Sequence, residues 1–101
     1  MSERRAAAPP LRGPYLVVGL ARSGIAAALA LHARGERVIG IDAGRPDVTR
    51  LVAAGVEVHL DAPGTDHLAH VATVVKSPGV PQEAPVVRAA RERGLVVVGE
   101  L

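Results

Sequence analysis

Five short, mainly apolar runs constrain this chain more than any other feature. They are Tyr15–Leu20, Arg37–Ile41, Val56–His59, Ala72–Lys76 and Leu95–Val98. An apolar run without polar alternation suits a strand covered on both faces, because alternation arises where one face meets water. The stretches between them read as crossovers. Ser23–Arg34 is rich in Ala and Leu and ends at Gly35; Asp47–Ala54 is followed by Gly55; Pro85–Arg93 has proline at its first turn and Gly94 as its stop. Asp66–His70 suits a single helical turn, and Pro78–Pro81 a rigid one. Strands joined through helices run parallel, and right-handed crossovers put helices on both faces. The expected fold is α/β: a doubly wound, five-stranded, mainly parallel sheet.

Length and composition narrow this further. The 101 residues suit one domain, and 49% hydrophobic content can supply a core. Tyr15 is the only aromatic residue, so that core must come from Val, Leu, Ile and Ala. The same scarcity disfavours stacking of nucleic-acid bases. Cysteine is absent, which removes disulfides, thiolate metal sites and a cysteine nucleophile. The net charge is +2, and three of the eleven arginines fall in the first 12 residues, so no basic face for nucleic acid is expected. No apolar run approaches the roughly 18 residues of a membrane span, and the first residues carry no signal-peptide core. A cytoplasmic protein without a membrane partner is expected. Residues 1–14, with Pro9-Pro10 and Gly13-Pro14, read as a disordered tail; residues 15–101 form the Rossmann-like domain.

In such sheets ligands lie beyond the carboxyl ends of the strands. Gly19-Leu20-Ala21-Arg22-Ser23-Gly24 fills that position between the first strand and the first helix. It is a glycine-rich phosphate loop in which Ala21 replaces the second glycine. Gly19 permits the turn, the helix start offers unpaired N–H groups, and Gly24 lets the helix approach the sheet. Ser23 can add a hydroxyl to a phosphate oxygen, and Arg22 can either pair with a phosphate or stand in water. The methyl of Ala21 keeps a pyrophosphate further off. Asp42 ends the second strand 23 residues after Gly19, near the spacing of about 20 at which a carboxylate meets a nucleotide. It could instead cap the loop before Gly44. Arg45 could offset Asp42 or reach a phosphate. Ser77-Pro78-Gly79 faces the same crevice, as a tight turn or as room for a flat group. Among His32, His59, His67 and His70, only the i, i+3 pair His67 and His70 has a spacing of interest, and a third ligand is not evident. Asp61, Asp66 and Glu83 read as solvated or capping groups. No nucleophile and base can be paired, and no Gly-Lys-Ser/Thr loop for ATP is present. A nucleotide-binding domain without catalytic or metal-binding residues is the expectation.

Three segments together resemble a known family. Val18-Gly19-Leu20-Ala21-Arg22-Ser23-Gly24, Val75-Lys76-Ser77-Pro78-Gly79-Val80-Pro81 and Gly94–Leu101 are similar to the N-terminal domain of MurD-type Mur ligases. The resemblance covers Tyr15 to Leu101 and is most specific in Lys-Ser-Pro-Gly-Val-Pro followed by a helix and Val-Gly-Glu-Leu. It implies the first domain of a monomeric, three-domain cytoplasmic enzyme of peptidoglycan synthesis. Such enzymes join D-glutamate to UDP-N-acetylmuramoyl-L-alanine through an acyl-phosphate made from ATP with Mg²⁺. The first domain holds the UDP and no cofactor; ATP and Mg²⁺ belong to the remaining domains in cis. By position, Arg22 and Ser23 would meet the phosphates, Asp42 the uracil, and Gly79 would lie near the base. Gly19, Ala21, Gly24, Ala43, Ser77 and Pro78 complete the implied UDP site. Ala43 stands where the family often has a hydroxyl residue. The chain then reads as the first domain cut from a ligase, inactive by itself. Two alternatives remain on the residues: an NAD(P)-binding domain in which Asp42 holds the adenosine ribose, and a regulatory domain that has kept only the fold.

Overall fold

A computed structural model of the chain describes residues 11–99. In order they form β1 (Tyr15–Val18), α1 (Arg22–Ala33), β2 (Val38–Ile41), α2 (Thr49–Ala54), β3 (Glu57–His59), a 3₁₀ segment (Thr65–His70), β4 (Thr73–Lys76), α3 (Pro85–Glu92) and β5 (Val96–Val98). The sheet order is β3-β2-β1-β4-β5, and every neighbouring pair is parallel. Tyr15 of β1 stands opposite Val38 on one side and Thr73 on the other. The crossover direction reverses at β1, so the crevice beyond its carboxyl end is the switch point at which this architecture binds ligands.

The apolar runs explain the two layers. All four residues of β1 are buried, and successive side chains point to opposite faces. Leu16 and Val18 pack with Ile39, Ile41, Val74 and Leu68 beneath Val86, Val87 and Ala90 of α3. Tyr15 and Val17 pack with Val38 and Val75 against Ala28 and Leu31 of α1 and Leu51 of α2. Leu16, Leu20 and Leu51 are fully buried, each contributing about 1.5–3 kcal/mol by leaving water.

Several boundaries differ from the sequence reading for physical reasons. β1 stops at Val18 because Gly19 takes φ +91°, which turns the backbone out of the strand. Leu20, read as strand and then loop, instead buries its side chain over Gly40, where an added Cβ would sit 3.2 Å from Leu20 Cδ2. Part of the expected tail, residues 11–14, is among the described residues. Arg12 O accepts the Thr73 hydroxyl at 2.8 Å, and Pro14 O accepts the Ala72 N–H at 2.8 Å, which pins residues 11–14 to the start of β4. The rest of that tail, residues 1–10, lies outside the described residues. Among the described residues, no helix is long and apolar enough to cross a membrane.

Candidate functional site

The carboxyl ends of β1, β2 and β4 deliver three loops to one place, and two side chains hold them in register. Ser77, buried after β4, donates its hydroxyl to Gly19 O at 2.6 Å, while its N–H bonds Val18 O at 3.0 Å. Asp42, after β2, accepts the Leu20 N–H on Oδ2 at 2.7 Å and the Gly44 N–H on Oδ1 at 2.8 Å. Asp42 thus caps the loop before Gly44, the second of its two expected roles, and also fastens that loop to the turn between β1 and α1. An ionised carboxylate oxygen accepts two hydrogen bonds, so each oxygen keeps acceptor capacity.

Between them begins α1. Its N-cap is Ala21, no side chain caps it, and its first turn carries no acidic residue. The first bond of the helix runs from Ile25 N to Ala21 O at 3.0 Å, so the N–H groups of Arg22, Ser23 and Gly24 precede the ladder. Twelve aligned peptide dipoles add a partial positive charge at this end. Glycine at 24 is a steric necessity. A Cβ there would lie 1.8 Å from Gly19 O and 2.6 Å from Ser77 Oγ, so the close approach is to the β1 loop itself.

Two clefts flank this ridge. One, of about 360 Å³, has Gly19, Asp42 and Ala43 on one wall and Gly79, Val80 and Pro81 on the other. The second, of about 300 Å³, runs between Ser23, Gly24 and the alanines of α1 and the Ser77-Pro78 turn. Gly19 lines the first and Ser77 the second, so the bond between them is the partition. Of the expected site residues, Gly19, Asp42, Ala43 and Gly79 share one cleft, and Ser23, Gly24, Ser77 and Pro78 the other. Ala21 and Arg22 stand exposed at the helix start. The Ser77 hydroxyl proton is committed to Gly19, so that side chain positions the loops. Gly79 faces open space, with no heavy atom within 4 Å of an added Cβ.

Three features were not foreseen from the residues. Arg45 turns away from Asp42 and pairs with Asp61 at 2.8 Å. Lys76 is buried, and its ammonium donates to Val80 O at 2.8 Å, which shapes the Ser77–Val80 turn. His67 finds its neighbours in His59 and Glu57, across the chain, where spacing alone had offered His70. A residue-spacing rule detects partners on one element only, and each of these contacts joins two.

Comparison with known proteins identifies the family. Residues 14–99 match the family described as the Mur ligase MurD-like N-terminal domain. The UDP-N-acetylmuramoylalanine–D-glutamate ligase of Frankia casuarinae is 44% identical over 97 residues, which cover 87% of this chain and 20% of that protein. Among solved structures, UDP-N-acetylmuramate–alanine ligase MurC from Thermotoga maritima shares the fold with a TM-score of 0.70 at 22% identity, over 86% of this chain and 20% of that one. Shikimate 5-dehydrogenase from Thermus thermophilus, solved with NADP(H) and shikimate, gives 0.58 at 23% identity, over 87% of this chain and 43% of that one. At these identities the two structures speak for the fold alone. The chain spans about a fifth of the length of the curated relatives it matches. Matched over nearly its whole described length, the chain belongs to the MurD-like N-terminal domain family of the Mur ligases.

Proposed function

We propose that this domain holds the UDP end of UDP-N-acetylmuramoyl-L-alanine, as the first domain of a ligase that adds D-glutamate to it. One observation carries the reading: the uncapped start of α1 stands beside a cleft walled by Asp42 and Gly79. A pyrophosphate at the helix start would accept from the N–H groups of Arg22, Ser23 and Gly24 and from the Ser23 hydroxyl, with the Arg22 guanidinium adding charge. A uracil in the 360 Å³ cleft would give its ring N–H to the free acceptor capacity of Asp42 and lie flat against Gly79, which has no side chain to obstruct it. Ala43 offers that ring no hydroxyl.

The domain's share of the reaction is then binding and orientation. The relatives' names describe a D-glutamate ligase, and the activation of the substrate carboxylate by ATP with Mg²⁺ would fall to the rest of the parent protein. A cytoplasmic, monomeric parent accompanies this reading. Calorimetric titration with UDP, UMP and NAD⁺ tests it. UDP should bind more tightly than UMP, because its second phosphate reaches the helix start, and more tightly than NAD⁺. Tighter binding of NAD⁺ than of UDP would overturn it in favour of a dinucleotide site.

A further inference from the structure

We propose that Glu57, His59 and His67 form a binding site for a borderline divalent transition-metal ion, such as Zn²⁺, Ni²⁺ or Co²⁺, at the outer edge of the sheet. This inference stands apart from the nucleotide cleft. β3 is an edge strand paired only with β2. Residues two apart on a strand point to one face, so Glu57 and His59 emerge side by side, and Glu57 Oε2 lies 2.7 Å from His59 Nε2. The 3₁₀ segment Thr65–His70 brings His67 over the same face, with its ring centroid 4.5 Å from that of His59 and the planes tilted by 30°.

One ligand atom from each residue falls within 4.8 Å of the others. Ligand bonds of about 2.1 Å in tetrahedral geometry separate neighbouring ligand atoms by about 3.4 Å, inside the range spanned here. Adjustment is inexpensive because the side chains of His59 and Glu57 are 40% and 47% exposed. Two imidazoles and one carboxylate favour nitrogen-seeking ions over Mg²⁺ or Ca²⁺, and water would fill the remaining coordination position. Arg37 lies near enough to act on the Glu57 carboxyl, and its charge opposes a cation. Affinity on the order of 10 µM is therefore expected, weaker than in closed structural zinc sites. A bound ion would tie β3 to the 3₁₀ segment.

The test is titration of the full, untagged chain with ZnCl₂ and, separately, CoCl₂, followed by calorimetry and by the imidazole resonances in long-range ¹H–¹⁵N spectra. One ion should bind per chain, with the His59 and His67 ring signals moving and those of His32 and His70 unmoved. His59→Ala and His67→Ala should each weaken binding at least tenfold, and Glu57→Gln by a smaller factor, while His32→Ala and His70→Ala should leave it unchanged. Circular dichroism of each variant verifies that it is folded, and His59→Gln and His67→Gln replace any alanine variant that is not. No binding at 1 mM ion, binding insensitive to either His59 or His67 substitution, or an equal loss in His70→Ala would each overturn the proposal.

Discussion

Replacing Gly24 by alanine sets two physical rules against each other. Helix propensity favours the change by up to about 1 kcal/mol, since alanine restricts the unfolded chain and suits a helix. Sterics oppose it. The new Cβ would stand 1.8 Å from Gly19 O and 2.9 Å from Gly19 C, where ordinary contact begins at 3.4 Å. These are backbone atoms, so relief requires the start of α1 to move from the β1 loop by about 1.6 Å, the difference between 3.4 and 1.8 Å. Gly19 O is also the acceptor of the buried Ser77 hydroxyl, so the movement strains that bond. Overpacking costs about 1–3 kcal/mol, and an unpartnered buried hydroxyl about 1–3 more. Net of propensity, destabilisation of about 1–5 kcal/mol is expected, a large fraction of the 5–15 kcal/mol typical of a domain. At about 4–8 °C per kcal/mol for a chain of this size, thermal unfolding followed by far-UV circular dichroism should shift down by roughly 4–40 °C. Gly79→Ala is the control: its Cβ meets nothing within 4 Å, so its Tm should stay within about 3 °C of the parent. An unchanged or raised Tm for Gly24→Ala would refute the steric argument and leave the glycine explained by phosphate access alone.

Other expectations follow from the same contacts. Asp42→Ala removes the acceptor of two backbone N–H groups and should cost about 1–3 kcal/mol in urea unfolding, while Asp42→Asn, which keeps one acceptor oxygen, should cost less. Leu20→Ala should cost about 2–5 kcal/mol by the same assay, since the side chain is wholly buried against Gly40; a cost below 1 kcal/mol would make it a loop residue after all. Ala43→Thr supplies a hydroxyl to the cleft and should tighten UDP binding by about threefold to tenfold in calorimetry, the worth of one hydrogen bond. The His59 hydrogen bond is the main influence holding the Glu57 carboxyl below the usual carboxylate range. A carboxyl with a depressed folded pKa stabilises above its unfolded value, about 4.3, and loses that contribution as pH falls through the folded value. The stability advantage of the parent over Glu57→Gln should therefore shrink as the pH falls below that unfolded value, and an advantage that grows on acidification would contradict the pairing.

The sheet was legible because a parallel strand buried on both faces leaves an unbroken apolar run. Tyr15–Val18 and Val38–Ile41 are buried at every position, and each lies within its expected run. The edge strands were legible for another reason: Val96–Val98 is only half buried, yet its β-branched residues favour an extended backbone. The turn from β1 into α1 was legible from Gly19 and Gly24, whose constraints are local backbone constraints. What stayed hidden depends on contacts between distant segments. Leu20 was expected to be buried as the end of a strand, whereas its burial from the loop depends on the space that Gly40 of the next strand leaves it. The bond by which Asp42 holds the Leu20 N–H was not legible, because that partner lies 22 residues earlier in the chain. Ser77 read as a ligand group, and its hydroxyl is spent on Gly19, 58 residues away. The Glu57, His59 and His67 cluster joins a strand to a 3₁₀ turn through a loop whose path no spacing rule encodes.

The most direct test of the central claim is an NMR titration of the ¹⁵N-labelled chain with UDP-N-acetylmuramoyl-L-alanine, alongside NAD⁺. The account predicts that the uridine ligand moves the amide signals of Arg22, Ser23 and Gly24 together with those of Asp42, Ala43 and Gly79, and that NAD⁺ moves them less at equal concentration. Shifts at the helix start without any at Asp42 to Gly79, or a larger response to NAD⁺, would contradict it.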